Sequence, residues 1–304
     1  MRIFVTGASG FIGSAVVPEL ISAGHQMMGL ARSEGSAAKL EAAGAEVLRG
    51  DLDDLDTLRA GADASDGVIH LAFKHEEAFS GNFPVATAAD RRVIETFGAA
   101  LEGSGRPLAI ATGLSGHPAG ALVTEDDAPD TGSVVGERMF AEQLVRSLAS
   151  SGVRSSSVRL SPTVHGDGDR AFVATLVGIA RDKGVSSYIG EGQNHWPAVH
   201  RLDAARLFRL ALERAPAGSV LHGVADEGVP VRTIAEVIGR QLGVPTTSIA
   251  PEGAGAHFGW LAGFAALDVR ASSVLTRERL GWGPTHPGLI EDLEQGHYFH
   301  TPSA

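Results

Sequence analysis

Met1-Arg-Ile-Phe-Val-Thr-Gly-Ala-Ser-Gly-Phe-Ile-Gly13 opens the chain, and the reading of this stretch decides the fold. Ile3 to Val5 are consecutive apolar residues running into glycine, the pattern of a parallel strand covered on both faces. Gly7 permits a tight turn, Gly10 lets backbone approach a ligand with no Cβ in the way, and Gly13 lets a helix pack closely on the strand. That helix, roughly Phe11 to Ala23, aims unpaired N–H groups and the positive end of its dipole at the turn, which suits phosphate. A second strand, Gln26 to Ala31, completes a β-α-β unit. The glycine pattern alone is a weak signal; with a strand before it and a helix and strand behind, it predicts a dinucleotide site.

Bulk composition narrows the rest. With 304 residues, 43% of them hydrophobic, the chain can bury a large α/β core with an added lobe. Cysteine is absent, which removes disulfides, thiolate zinc sites and a cysteine nucleophile. A net charge of −11 argues against nucleic acid as a partner, because that affinity rests on lysine and arginine neutralising phosphates. The N-terminus runs straight into a strand, without the charged and apolar regions of a signal peptide, and Phe258 to Leu267 is too short an apolar window to span a bilayer. A cytoplasmic protein with no membrane partner is the expectation, and no residue spacing suggests a metal site.

Thr6-Gly7-Ala8-Ser9-Gly10-Phe11-Ile12-Gly13 resembles the fingerprint of the extended and atypical short-chain dehydrogenase/reductases, the NAD-dependent epimerase/dehydratase superfamily, and the resemblance runs nearly end to end. It implies an α/β fold: a Rossmann-type doubly wound parallel sheet of about seven strands over residues 1–165, and a smaller C-terminal substrate lobe over 166–304 interleaved with the last strands, about 198–224. The turn residues Gly7, Gly10, Phe11, Ile12 and Gly13 would carry the cofactor diphosphate. After the second strand an NAD site places an acid and an NADP site an arginine; Ala31 stands where the acid would be, so Arg32 and Ser33 favour NADP(H), unless Arg32 is only a solvated loop residue. The resemblance sets Asp51 and Leu52 against the adenine, although Asp51 is equally suited to capping the helix that begins near Leu55. Leu71 and Ala72, ending the fourth strand, would touch ribose and diphosphate, with His70 packed in the strand. Pro162 and Val164 would meet the nicotinamide amide through their backbone.

The catalytic positions depart from the family pattern. Gly113 occupies the place of a catalytic serine after the fifth strand, leaving Thr112 or Ser115 to supply the hydroxyl. The Tyr-x-x-x-Lys pair is replaced by Val134 and Arg138; arginine can hold ribose hydroxyls, but valine transfers no proton. Tyr188, His165 or a water would then carry it, His165 being also readable as structural and Tyr298 as a surface residue. Asp90 falls where many relatives carry an active-site asparagine, and a solvated helix acid is the competing reading. Asn194, Trp196 and His200 would line the substrate side, and Asp203 reads as a helix N-cap.

The expected activity is that of an NADP(H)-dependent oxidoreductase moving hydride to or from a carbonyl or alcohol carbon of a small molecule. A nucleotide-sugar epimerase or dehydratase is disfavoured by the missing proton-shuttling residues, and an NADP(H)-binding sensor is favoured by the same departures. The resemblance also implies a homodimer paired through helices around Val93 to Leu101 and Phe140 to Leu148.

Overall fold

Buried strands, each followed by a helix or loop, build the core. The computed structural model describes residues 1–114, 116–129 and 136–300, with only the backbone of Phe79 and of residues 136–139. The first half is β1 (Arg2–Thr6), α1 (Gly13–Ser22), β2 (Gln26–Ala31), α2 (Glu34–Ala42), β3 (Glu46–Arg49), α3 (Leu55–Asp63), β4 (Gly67–His70), α4 (His75–Phe79), α5 (Phe83–Leu101) and β5 (Pro107–Gly113). Then come β6 (Leu122–Val123), α6 (Gly136–Ser147), β7 (Arg154–Leu160), β8 (Thr163–His165), α7 (Phe172–Lys183), β9 (Ser186–Ile189), β10 (His195–His200), α8 (Arg201–Arg214) and β11 (Ser219–Gly223). The chain ends with β12 (Asp226–Pro230), α9 (Val231–Leu242), β13 (Thr246–Ile249), α10 (Ala254–Phe258), α11 (Ala262–Ala265), β14 (Arg270–Ala271), α12 (Val274–Leu280) and α13 (Leu289–Glu294).

The central sheet has seven parallel strands in the order β3-β2-β1-β4-β5-β7-β11. Successive side chains of each strand point to opposite faces, so Val5, Ile69, Ala109 and Val158 pack beneath α1 and α8 while Phe4, Val68, Leu108 and Ile110 pack beneath α3, α5 and α6. The strand order reverses between β1 and β4, and ligands of such sheets bind outside the strand C-termini at that point. α1 follows a sheet strand and α8 precedes one, so both helices have their N-termini at this edge, on the same face.

β7 begins at Arg154 rather than near Val158, because Ser155, Ser156 and Ser157 are buried strand residues despite being polar. Ser155 Oγ donates to Val145 O at 2.6 Å and Ser157 Oγ meets Thr112 Oγ1 at 2.8 Å, so the hydroxyls of Ser155 and Ser157 keep a partner. α8 starts at Arg201 with His200 as its cap; Asp203, expected there, is fully buried in the first turn and accepts from the backbone N–H groups of Thr285 and His286.

A lobe forms from the three-stranded sheet β12-β10-β8 and the β13-β9 pair, with α7 and α9 closing over Trp196, Ile234, Phe258 and Leu289. Among the described residues no helix is long and apolar enough to cross a membrane. Arg159 on β7, which is fully buried, ties the sheet to α6 and to the segment after β6. Its guanidinium donates to both carboxylate oxygens of Glu142 on α6 at 2.7 Å, to Asp127 O at 2.9 Å and to Thr124 O at 3.4 Å. Removing one partner of such a pair strands a buried charge. Glu142→Ala should lower the unfolding free energy by about 3–5 kcal/mol in urea titrations; a loss below ~1 kcal/mol would show that the pair contributes nothing net.

Candidate functional site

The turn between β1 and α1 fits glycine and little else. Gly7 has φ 71°, and a Cβ there would lie 2.7 Å from the Ala72 amide across the β1/β4 boundary. A Cβ on Gly13 would overlap the Gly7 carbonyl, whereas at Gly10 it would meet only Gly7 O at 3.1 Å, so the outer side of Gly10 is open. Gly10 N–H closes the turn onto Gly7 O at 3.0 Å. α1 has no side-chain N-cap and no acid in its first turn. Its leading N–H groups therefore suit an anion.

The mouth of β1 and β4 is locked from below. Thr6 Oγ1 lies 2.6 Å from His70 Nδ1 and accepts from the Ala72 amide at 3.4 Å, while His70 Nε2 lies 3.0 Å from Asp90 Oδ1. An ionised carboxylate only accepts, so Nε2 carries the proton toward Asp90 and Nδ1 accepts from the threonine hydroxyl. Asp90 is not a solvated helix acid: it is buried and orients His70. Leu71 packs against the sheet core and donates its N–H to Thr6 O at 3.2 Å.

Beyond β2 and β3 lies a cleft of about 400 Å³ lined by Ala31, Arg32, Glu34, Arg49, Gly50, Asp51 and Asp54. Arg32 is exposed, with Nη2 3.6 Å from Glu76 Oε1. Ser33 caps α2 by accepting from Ser36 N. Arg49, whose place is set only by strand register, is the partner of Ala31 and donates to Glu34 Oε2 at 2.6 Å. Asp51 does not cap α3; Asp54 does, accepting from Thr57 N at 3.1 Å. Asp51 Oδ1 instead accepts from Asp53 N and Asp54 N while lining the cleft, and Leu52 packs on the core beside Leu48.

The expected catalytic groups are dispersed. Thr112 belongs to β5, is buried, and its hydroxyl is taken by Ser157. Ser115 and Val134 lie outside the described residues, as does the side chain of Arg138. Tyr188 sits on β9 in the lobe, its ring against Gly192 and beneath the Arg232 guanidinium at 5.4 Å. His165 is fully buried, with Nδ1 2.8 Å from Asp292 Oδ2 and its ring edge-on to His200. Val164 is buried in β8 opposite Val199, and Pro162 is half-buried just before it. Of the substrate candidates, Asn194 donates to the carbonyls of Ala265 and Leu267, Trp196 is fully buried beside Phe172, and His200 caps α8 while stacking on His286. All three are engaged with neighbouring groups of the chain. Tyr298 is not a surface residue: its hydroxyl accepts from Gly166 N at 3.1 Å and donates to Asp169 Oδ2 at 3.0 Å, and burial raises its pKa far above the ordinary phenol range. Among the described residues no cluster of three or more histidine, cysteine or acid side chains could hold a metal ion.

Residues 3–222 match the NAD dependent epimerase/dehydratase family. The chain belongs to that family. It is similar to an uncharacterized protein of Schizosaccharomyces pombe, 50% identical over 98% of this chain and 100% of the relative. It is also similar to 4-hydroxy-2-methyl-3-oxo-4-farnesyl-3,4-dihydroquinoline-1-oxide ketoreductase of Stigmatella aurantiaca, 28% identical over 76% of this chain and 70% of that one. Among solved structures, MoeE5 in complex with UDP-glucose and NAD superposes with a TM-score of 0.78 at 23% identity, covering 98% of this chain and 97% of that one, a likeness of fold.

In this member of the epimerase/dehydratase family, burial sets the charge state of two histidines beside the sheet edge. Desolvation pulls His200 down from 6.5 to about 4, helped by His165 nearby. His222 is likewise pulled down by burial to about 4. Its Nε2 faces Arg159 Nη1 at 3.2 Å, and arginine can only donate, so Nε2 accepts and Nδ1–H donates to Ser272 O at 2.7 Å. Unfolded histidines take up protons at their ordinary value while these refuse them until about 4, so stability is whole at neutral pH and falls as pH drops from 6.5 toward 4. Urea titrations across that window should show uptake of up to about two protons on unfolding, and His200→Gln should remove about one of them.

Proposed function

We propose that the chain binds NADP(H) and acts as an oxidoreductase on a carbonyl or alcohol carbon of a small molecule. The observation that carries the reading is the pairing of an uncapped, acid-free α1 N-terminus behind Gly7-Gly10-Gly13 with two arginines in the cleft beyond β2. The amides of Phe11, Ile12 and Gly13 hold the diphosphate through backbone donors and the helix dipole. Arg32 and Arg49, with the Ser33 hydroxyl, receive the ribose 2′-phosphate; on binding it, Arg49 exchanges its contact with Glu34 for a doubly charged partner. Asp51 lies on the adenine side of the same cleft.

When bound, the nicotinamide supplies or accepts the hydride. The chain's own residues position it: Thr6, His70 and Asp90 hold the β1/β4 mouth rigid, and Tyr298 ties the turn after β8 to the C-terminal segment through Gly166 and Asp169. With Tyr188 and His165 packed in the lobe, water carries the proton, which leaves the reaction about 10²–10⁴-fold slower than a positioned acid would make it. The ketoreductase among the relatives supports a carbonyl substrate.

A second reading, an NADP(H) sensor, is favoured by the same engaged side chains: Thr112 on Ser157 and His165 on Asp292. Purified protein with a panel of aldehydes and ketones, followed by cofactor absorbance, separates the two. Turnover with NADPH exceeding that with NADH, lost about 10-fold or more in Arg32→Gln and Arg49→Gln, supports the reductase, and Tyr188→Phe should then keep its rate within about 2-fold. Tight NADPH binding without turnover supports the sensor, and equal binding of NADPH and NADH refutes the arginine assignment.

A further inference from the structure

α8 carries an arginine where its N-terminus meets the nucleotide turn. Arg201, the first residue of the helix, places its guanidinium carbon 5.3 Å from the centroid of the Phe11 ring, between Gly10 and Gly13. Its stem runs along a second glycine turn: a Cβ on Gly166 would meet Arg201 Cγ at 3.3 Å and Cδ at 3.4 Å, and one on Gly168 would lie 3.8 Å from Nη1. The side chain is thus half-buried in a slot that two glycines leave open. Among the described residues it forms no ion pair, although Arg206 and Arg209 on the same helix do.

We infer that Arg201 is a second arm for the cofactor diphosphate, reaching over the turn from α8 while the amides of α1 hold it from beneath. This rests on the dinucleotide reading above. α1 and α8 lie side by side with both N-termini at the sheet edge, so two helix dipoles and one fixed cation converge at Phe11. A guanidinium presents a planar fork to phosphate oxygens, and here it is already immobilised against an aromatic face, so little rotamer freedom is lost on binding. Its contact with Phe11 assigns it to the diphosphate, whereas Arg32 and Arg49, at the ends of β2 and β3, belong to the 2′-phosphate.

Calorimetric titration with NADP⁺, ADP-ribose and adenosine 2′-phosphate tests the assignment. Arg201→Gln should weaken NADP⁺ and ADP-ribose by about 10- to 100-fold and adenosine 2′-phosphate by less than about 3-fold, while Arg32→Gln should weaken NADP⁺ and adenosine 2′-phosphate and spare ADP-ribose. Arg201→Lys keeps the charge without the fork and should fall between wild type and Arg201→Gln, which preserves the test should the glutamine variant fail to fold. Losses within about 2-fold on all three ligands, or equal losses on all three, overturn the role of Arg201. Absence of any binding by the wild-type protein overturns the dinucleotide reading itself.

Discussion

One guanidinium sits where water cannot reach it, and the segments around it are arranged to accommodate it. Arg159 has five donor hydrogens and no acceptor, so each neighbour must offer an oxygen or a lone pair. Glu142 supplies two oxygens from α6, Asp127 and Thr124 supply carbonyls from the segment after β5, and His222 turns its unprotonated nitrogen inward from β11. That choice of tautomer commits the other ring nitrogen to Ser272. Next to it Glu125 accepts from both N–H and hydroxyl of Thr276. A chain of charge and hydrogen bonds thus runs from the sheet through the segment after β6 to the C-terminal segment, and fixes their relative positions.

The sheet was legible because its strands obey a simple rule. Phe4, Val5, Val68, Ile69, Leu108 and Ile110 are apolar runs covered on both faces, and such runs show in any window of sequence. The start of β7 is hidden because three serines look like a loop until the hydroxyls of Ser155 and Ser157 are given their partners. The N-terminus of α8 escapes the sequence for a related reason: aspartate is the commoner cap, yet the buried Asp203 has its partners eighty-odd residues away in Thr285 and His286, and His200 takes over the capping. The glycines of the nucleotide turn were readable because each answers to a local steric demand. Arg49 and Arg201 were not, since the first depends on the register of β2 with β3 and the second on the packing of α8 beside α1.

The departures from the family pattern have a consistent physical sense. The polar side chains that could have faced a substrate hold each other instead: Thr112 with Ser157, His165 with Asp292, Asp90 with His70. Each pair is buried, and each would cost stability to open. The result is a nucleotide-binding edge that is stiff and finely placed beside a lobe whose polar residues are occupied.

The uneven distribution of charge has a consequence for how ions in the medium act on the protein. The chain as a whole carries −11, yet Arg32, Arg49 and Arg201 and the N-termini of α1 and α8 gather at one edge of the sheet, interleaved with Glu34, Asp51 and Asp54. A polyanionic visitor therefore meets two opposed fields, a diffuse repulsion from the whole surface and a short-range attraction at the edge. Dissolved salt weakens the diffuse field first, because its sources lie farther than the screening length of about 8–10 Å at physiological ionic strength. Moderate salt should thus ease the approach of the visitor before it loosens the grip.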